Sequence, residues 1–185
     1  VWWFSKSPWP KADVTKVLAP YSERMKKLLE DPGAFYKPKK RPSGHDITAT
    51  FGKDNGGAIP SNLLQIPNTE SNGRYLSSCK SVGAKPHSAR FPAKLPEFFI
   101  RMLTEPSDLV LDIFSGSNTT GQVCEAEGRR WLAFDESLDY IASSAFRLLP
   151  AETSEFEVRQ AFQRIKSGET VNLDDYRAQR RLSAV

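Results

Sequence analysis

Residues 109–121 read LVLDIFSGSNTTG, and this stretch decides the fold. Leu109 to Phe114 is an apolar run broken only by Asp112, as expected of a central parallel strand. Gly116-Ser117-Asn118-Thr119-Thr120-Gly121 comes directly after it. It misses the Gly-x-Gly-x-x-Gly turn for a pyrophosphate at one position, where Asn118 stands for the second glycine. Asparagine tolerates left-handed dihedrals, so the tight turn survives. A side chain at position 118 nevertheless obstructs a pyrophosphate, which must come very close to the backbone. The run predicts a strand, a turn and a helix whose N-terminus faces a ligand over the sheet edge.

Outward from the turn, the helix starts near Thr119 or Thr120 and stops at Gly128, a residue suited to the left-handed end position. Trp131 to Phe134 is a second strand ending in Asp135, and a helix runs from about Leu138 to Leu149. Asp135 is placed to accept two hydrogen bonds from a ribose diol, roughly 20 residues after the turn. A ligand with adenosine but without pyrophosphate fits both features. Upstream, Phe98, Phe99, Met102 and Leu103 share one face of a helix from about Pro96. Glu105-Pro106-Ser107-Asp108 ends it. Ser22 caps a helix to Glu30 that turns Met25, Leu28 and Leu29 to one side, and Val1 to Phe4 reads as a buried strand. Between Asp31 and Lys85 periodicity is poor and turn residues abound, the mark of a functional or disordered segment. The tail from about 152 to 181 is charged and helical in pattern.

Composition narrows the class. The 185 residues are 39% hydrophobic and 11% aromatic, enough for one domain with a core. Cys79 and Cys124 lack metal-binding or disulfide spacing, which points to a reduced, cytoplasmic setting and no metal. No apolar run approaches the roughly 18 residues of a membrane helix, and no secretory pattern is present. Charge is uneven: residues 1–90 carry 15 Lys/Arg and 7 Asp/Glu (+8), and residues 91–185 carry 11 and 15 (−4). The cluster Lys37-Pro38-Lys39-Lys40-Arg41-Pro42-Ser43-Gly44-His45 cannot be helical and displays its cations on a loop, which suits a polyanion.

The run Asp112-Ile113-Phe114-Ser115-Gly116-Ser117-Asn118-Thr119-Thr120-Gly121, with Gly128-Arg129-Arg130-Trp131 and Asp135 beyond it, resembles the S-adenosylmethionine site of DNA amino-methyltransferases. His87-Ser88-Ala89-Arg90-Phe91-Pro92-Ala93-Lys94-Leu95-Pro96 resembles the segment before the cofactor motif in their beta group, where the catalytic half precedes the cofactor half. The resemblance covers nearly the whole chain. It implies an α/β fold, part of a Rossmann-like S-adenosylmethionine-dependent methyltransferase sheet with an irregular, loop-rich target-recognition region. By the resemblance, Phe114, Ser115, Gly116 and Ser117 line the methionine part of the cofactor, and Asp135 takes the ribose. Phe91 and Pro92 close the pocket, while Asp112, Asn118, Thr119 and Thr120 complete the set. Ile113 and Asn118 depart from the usual proline and glycine. The plainer alternatives are core aromatics at Phe91 and Phe114, a strand-end polar residue at Asp112, and a helix cap at Asp135.

Enzymes of this family methylate an exocyclic amine on a flipped base with a Ser/Asp-Pro-Pro-aromatic loop. No such tetrapeptide occurs in these 185 residues. Ser7-Pro8-Trp9-Pro10 resembles instead the segment just after the last strand of the catalytic half in cytosine-N4 enzymes, which places the catalytic loop upstream of Val1 or on a second polypeptide. The implied organisation is 1–30, end of the catalytic half; 31–86, target-recognition region; 87–150, cofactor-binding part; 151–185, charged helical tail. Lys37, Lys39, Lys40, Arg41 and Lys53 are candidates for phosphate contacts in duplex DNA, and Arg41, His45, Asn55 and Asn62 for base edges. The implied activity is restriction-modification methylation of cytosine N4 in the prokaryotic cytoplasm, with no membrane partner. Adenine N6 methylation and a nonenzymatic DNA-binding module are the alternatives. A nucleotide-dependent oxidoreductase is disfavoured by Asn118 and by the basic half.

Overall fold

A computed structural model describes residues 4–35, 40–44, 52–69 and 73–176. The chain forms two compact units, residues 1–65 and 66–185. This boundary falls inside the 31–86 segment. Most of the strand expected at Val1–Phe4 lies outside the described residues; Phe4 itself is exposed.

In the first unit, α1 (Glu23–Glu30) begins where Ser22 Oγ accepts the Met25 N–H at 3.3 Å. Its Leu28 is buried, with Met25 and Leu29 half-buried beside it. A short α2 (Pro32–Phe35) comes next. Ala19 and Ala58 bond each other in both directions at 2.9 and 2.8 Å, closing an antiparallel bridge. Gly57 makes this possible: a Cβ there would stand 2.8 Å from the Ala19 carbonyl oxygen. The Tyr21 hydroxyl donates to Asp54 Oδ1 at 2.9 Å and accepts the Asn55 N–H at 2.8 Å. The N–H of Gly56, and then that hydroxyl, hold the Asp54 carboxyl below its ordinary range.

The second unit contains α3 (Arg74–Val82), α4 (Lys94–Leu103), β1 (Leu109–Asp112), α5 (Thr119–Ala126), β2 (Arg130–Ala133), α6 (Leu138–Ser144) and α7 (Glu155–Lys166). β1 and β2 are parallel, with Leu109 opposite Arg130 and Asp112 opposite Ala133. Tyr75, Cys79, Ala142, Phe146, Val158, Ala161 and Phe162 form the larger core. A smaller one joins Ile100, Val123 and Cys124 to Val110 and Trp131, so α4 and α5 cover one face of the sheet. Burial pushes the Cys124 thiol up to about 11 and raises that of Cys79 as well.

Several expectations shift in the structure. The strand predicted to Phe114 stops at Asp112, because the Asp112 carboxylate accepts the Phe114 N–H at 3.1 Å and bends the chain into the turn. The strand is also covered on one face only. α4 begins at Lys94, two residues early, since Pro96 in the first turn gives up an N–H that has no helical partner there. The helix expected to Leu149 ends at Ser144 and tightens into a 3₁₀ turn, Ala145–Arg147. α7 carries a capping box between Ser154 and Glu157. The irregular segment also hides α3, whose Tyr75 and Cys79 belong to the larger core.

Candidate functional site

Two residues of the turn after β1 have positive φ, Gly116 at 51° and Asn118 at 55°; the second bears out asparagine's tolerance of the left-handed region. Asn118 is 2% exposed, and its Oδ1 accepts the Gly121 N–H at 2.9 Å as the N-cap of α5. The Asn118 side chain therefore turns inward. It takes a helix-terminal amide for itself and does not protrude from the turn. Gly121 leaves room for this cap, since a Cβ there would lie 2.4 Å from Asn118 Oδ1 and the amide would have to move.

Two carboxylates set the turn. Asp112 Oδ2 accepts the Thr120 hydroxyl at 2.7 Å, so both of its oxygens are bonded within the turn. Asp135, from the end of β2, accepts the Gly116 N–H on Oδ2 at 2.8 Å and the Ser137 N–H on Oδ1 at 2.9 Å. It thus tethers the turn to the second strand tip and orders the start of α6. One bond per oxygen leaves acceptor capacity on each. Ser115 N–H bonds the Phe134 carbonyl at 2.9 Å, a second tie between the same two strand ends.

The predicted cofactor residues divide by exposure. Phe114 is 85% exposed and Phe91 is exposed as well, so neither is a core aromatic. Ser117 and Thr119 are buried, with their hydroxyls 3.3 Å apart. Arg147 donates to Ser117 Oγ at 3.3 Å and to Gln122 at 2.9 Å, with its guanidinium 4.7 Å from the Tyr75 ring centre. Gly116 and Asp135 meet directly, whereas Asp112, Asn118 and Thr120 hold the turn's shape. Pro92 is half-buried just before α4.

The His87 ring stands beside this turn, a neighbour that the motif alone does not reveal. A Cβ on Gly116 would lie 3.0 Å from its ring atoms Cε1 and Nε2, and the ring meets Tyr140 edge-on at 4.6 Å. Its backbone N–H donates to Tyr75 Oη at 3.1 Å, so α3 fixes it against the turn. The sequence signal was its place in the segment leading to Phe91.

Of the predicted DNA contacts, Lys37, Lys39 and His45 lie outside the described residues. Lys40 and Arg41 are exposed, in a turn closed by the Gly44 N–H on the Arg41 carbonyl at 3.0 Å. Lys53, Asn55 and Asn62 are exposed as well.

An acidic residue at one strand tip, tethered to the glycine turn that follows a parallel neighbour, marks the chain as an α/β protein. A DNA methylase family profile of the N6/N4 type matches residues 1–146, and the chain belongs to that family. It is 64% identical over 174 residues to the type II methyltransferase M.PvuII of Proteus hauseri, covering 94% of this chain and 52% of that protein. The type II methyltransferase M.XycI of Xanthomonas campestris pv. cyanopsidis is 38% identical over 79 residues, 40% of this chain and 26% of that one. The solved cytosine-N4-specific PvuII DNA methyltransferase superposes with a TM-score of 0.69 at 48% identity, over 93% of this chain and 48% of that chain. The chain thus has the fold of that part of the enzyme, and spans about half the length of these two PvuII-type relatives.

Proposed function

We propose that the chain is the cofactor-binding and target-recognition portion of a type II DNA methyltransferase. The reaction is transfer of a methyl group from S-adenosylmethionine to N4 of cytosine in duplex DNA. The observation that carries this reading is the Gly116–Asp135 tether, with Asn118 occupying the helix terminus beside it. It leaves a carboxylate for a ribose and withholds an amide from a diphosphate.

S-adenosylmethionine supplies the electrophilic sulfonium methyl group. Asp135 accepts the ribose hydroxyls, and Phe114 and Phe91 give apolar surface to the rest of the nucleoside. Arg147 holds Ser117, and with it the floor of the turn. Lys37, Lys39, Lys40, Arg41 and Lys53 neutralise DNA phosphates, while His45, Asn55 and Asn62 reach base edges. A segment carrying the Ser/Asp-Pro-Pro-aromatic loop completes catalysis. The similarity to a cytosine-N4-specific enzyme supports cytosine as the base.

The test is to co-express the chain with the half of the Proteus hauseri relative it does not match, supply tritiated S-adenosylmethionine and duplex DNA, and analyse the nucleosides. N4-methylcytosine is expected. N6-methyladenine would overturn the choice of base. Cofactor binding with no methylated nucleoside would favour a nonenzymatic module.

A further inference from the structure

The second unit holds a cavity of about 390 Å³ whose wall carries three arginines, Arg74, Arg90 and Arg147. They come from the first turn of α3, the segment before α4 and the 3₁₀ turn after α6. All three are half-buried, and no carboxylate lines the cavity among the described residues. Cations drawn out of water are ordinarily paired with an anion. Neutral oxygens hold these in place instead. Arg74 donates to the Leu149 carbonyl at 2.7 Å and Arg90 to the His87 carbonyl, one donor of each guanidinium among the described residues. A guanidinium has five N–H donors, so most of both forks remains for a ligand. Arg147 is bonded to Gln122 on the same wall and lies against the Tyr75 ring. Burial raises the Cys79 thiol, whereas its bond with Tyr75 and the charges of Arg90 and Arg147 pull it down, so both cations bear on one point. Burial also disfavours the charged form of Arg74, and Glu152, outside the cavity lining, opposes that.

We propose that this cavity is a phosphate-binding site, separate from the turn after β1. Phe114, Gly116 and Asp135 take no part in its lining. Arginine forks match phosphate oxygens two at a time, which a single lysine cannot do. Gly73, the N-cap of α3, is on the same wall; it is exposed and gives the helix no side-chain cap, so solvent reaches the cavity beside a helix N-terminus. The arginines carry the site, and the helix end adds to their field. A cavity of this volume admits a phosphate together with part of the sugar it esterifies. The phosphate is therefore one of a DNA backbone or a free one.

The test titrates the full 185-residue chain with inorganic phosphate by calorimetry, at fixed ionic strength in chloride. One saturable site is expected, weakened about tenfold or more in Arg74→Gln and in Arg90→Gln. Arg74→Lys and Arg90→Lys keep the charge and should retain part of the affinity, which separates a lost cation from a lost fold. Arg159→Gln, at an exposed position on α7, leaves binding unchanged. The source is read from duplex DNA binding over a range of salt. A slope lowered by about 1 in each glutamine variant assigns the phosphate to DNA, and an unchanged slope with weakened phosphate binding assigns it to a free phosphate; both uphold the site. No saturable binding of phosphate, or binding indifferent to both glutamine variants, would overturn it. Strict displacement of phosphate by S-adenosylmethionine would overturn it too, by making the cavity the seat of that molecule's carboxylate. The phosphate titration needs neither cofactor nor DNA, so its failure leaves the proposed function standing.

Discussion

In the first unit Leu28 is the buried large apolar side chain among the described residues, whereas the second buries Phe146, Phe162, Tyr75, Leu149, Ile100, Val123 and Val158. The first unit is held by polar turns instead: Tyr21 on Asp54, Asp54 on Gly56, Asp13 on Thr15. Exposed hydrogen bonds of this kind contribute a net of about 1 kcal/mol each, so the first unit is the softer of the two. Under the proposed function, the cofactor turn, whose atoms must be fixed to fractions of an ångström, sits on the unit with the core, and the cations proposed to track DNA lie on the polar unit.

The largest effect that can break this comparison is in the core. Phe146→Ala should cost about 3–5 kcal/mol, read as a lower melting temperature of the second unit. Leu28→Ala should cost about 2 kcal/mol and leave the second unit's transition in place. One shared transition in both variants would show that the division into polar and apolar units is mistaken.

Next come the turn residues. Gly116→Ala places a side chain at φ 51° and against His87, and should cost roughly 1–2 kcal/mol while weakening cofactor binding. His87→Ala in the same chain should restore part of the loss, and strictly additive effects would remove His87 from the turn. Asp135→Ala should weaken S-adenosylmethionine binding by about 1–3 kcal/mol, measured by calorimetry, because it releases the Gly116 N–H and leaves the ribose hydroxyls unpaired. Unchanged affinity would take Asp135 out of the site.

The smallest effect belongs to the polar unit. Alanine at Lys39, Lys40 and Arg41 together should flatten the salt dependence of DNA binding by up to about 1 per cation, with the melting temperature unmoved. A salt slope equal to the parent's would mean that these cations do not touch phosphate.

The parts that could be read from the sequence were those with a local cause. Ser22, Gly128 and the Leu109–Asp112 run mark their elements through capping, left-handed backbone and apolar continuity, all of which act within a few residues. Asn118 was legible as a left-handed residue, but the inward turn of its side chain was not, because that depends on Gly121 and the start of α5. α3 was hidden because Ser77, Ser78 and Ser81 interrupt its apolar positions, and its reason for folding lies more than 60 residues away in Phe146 and Phe162. His87 beside Gly116 is likewise a meeting of distant segments. The bare face of the sheet was invisible for the same reason: a continuous apolar run states that both faces want cover, not which side has it.

The most direct test is titration of the chain, in one calorimeter cell after another, with S-adenosylmethionine and with NAD. Saturable binding of S-adenosylmethionine, lost in Asp135→Ala, with no heat from NAD, is the predicted result. Binding of NAD with equal or greater affinity would contradict a turn that excludes a diphosphate.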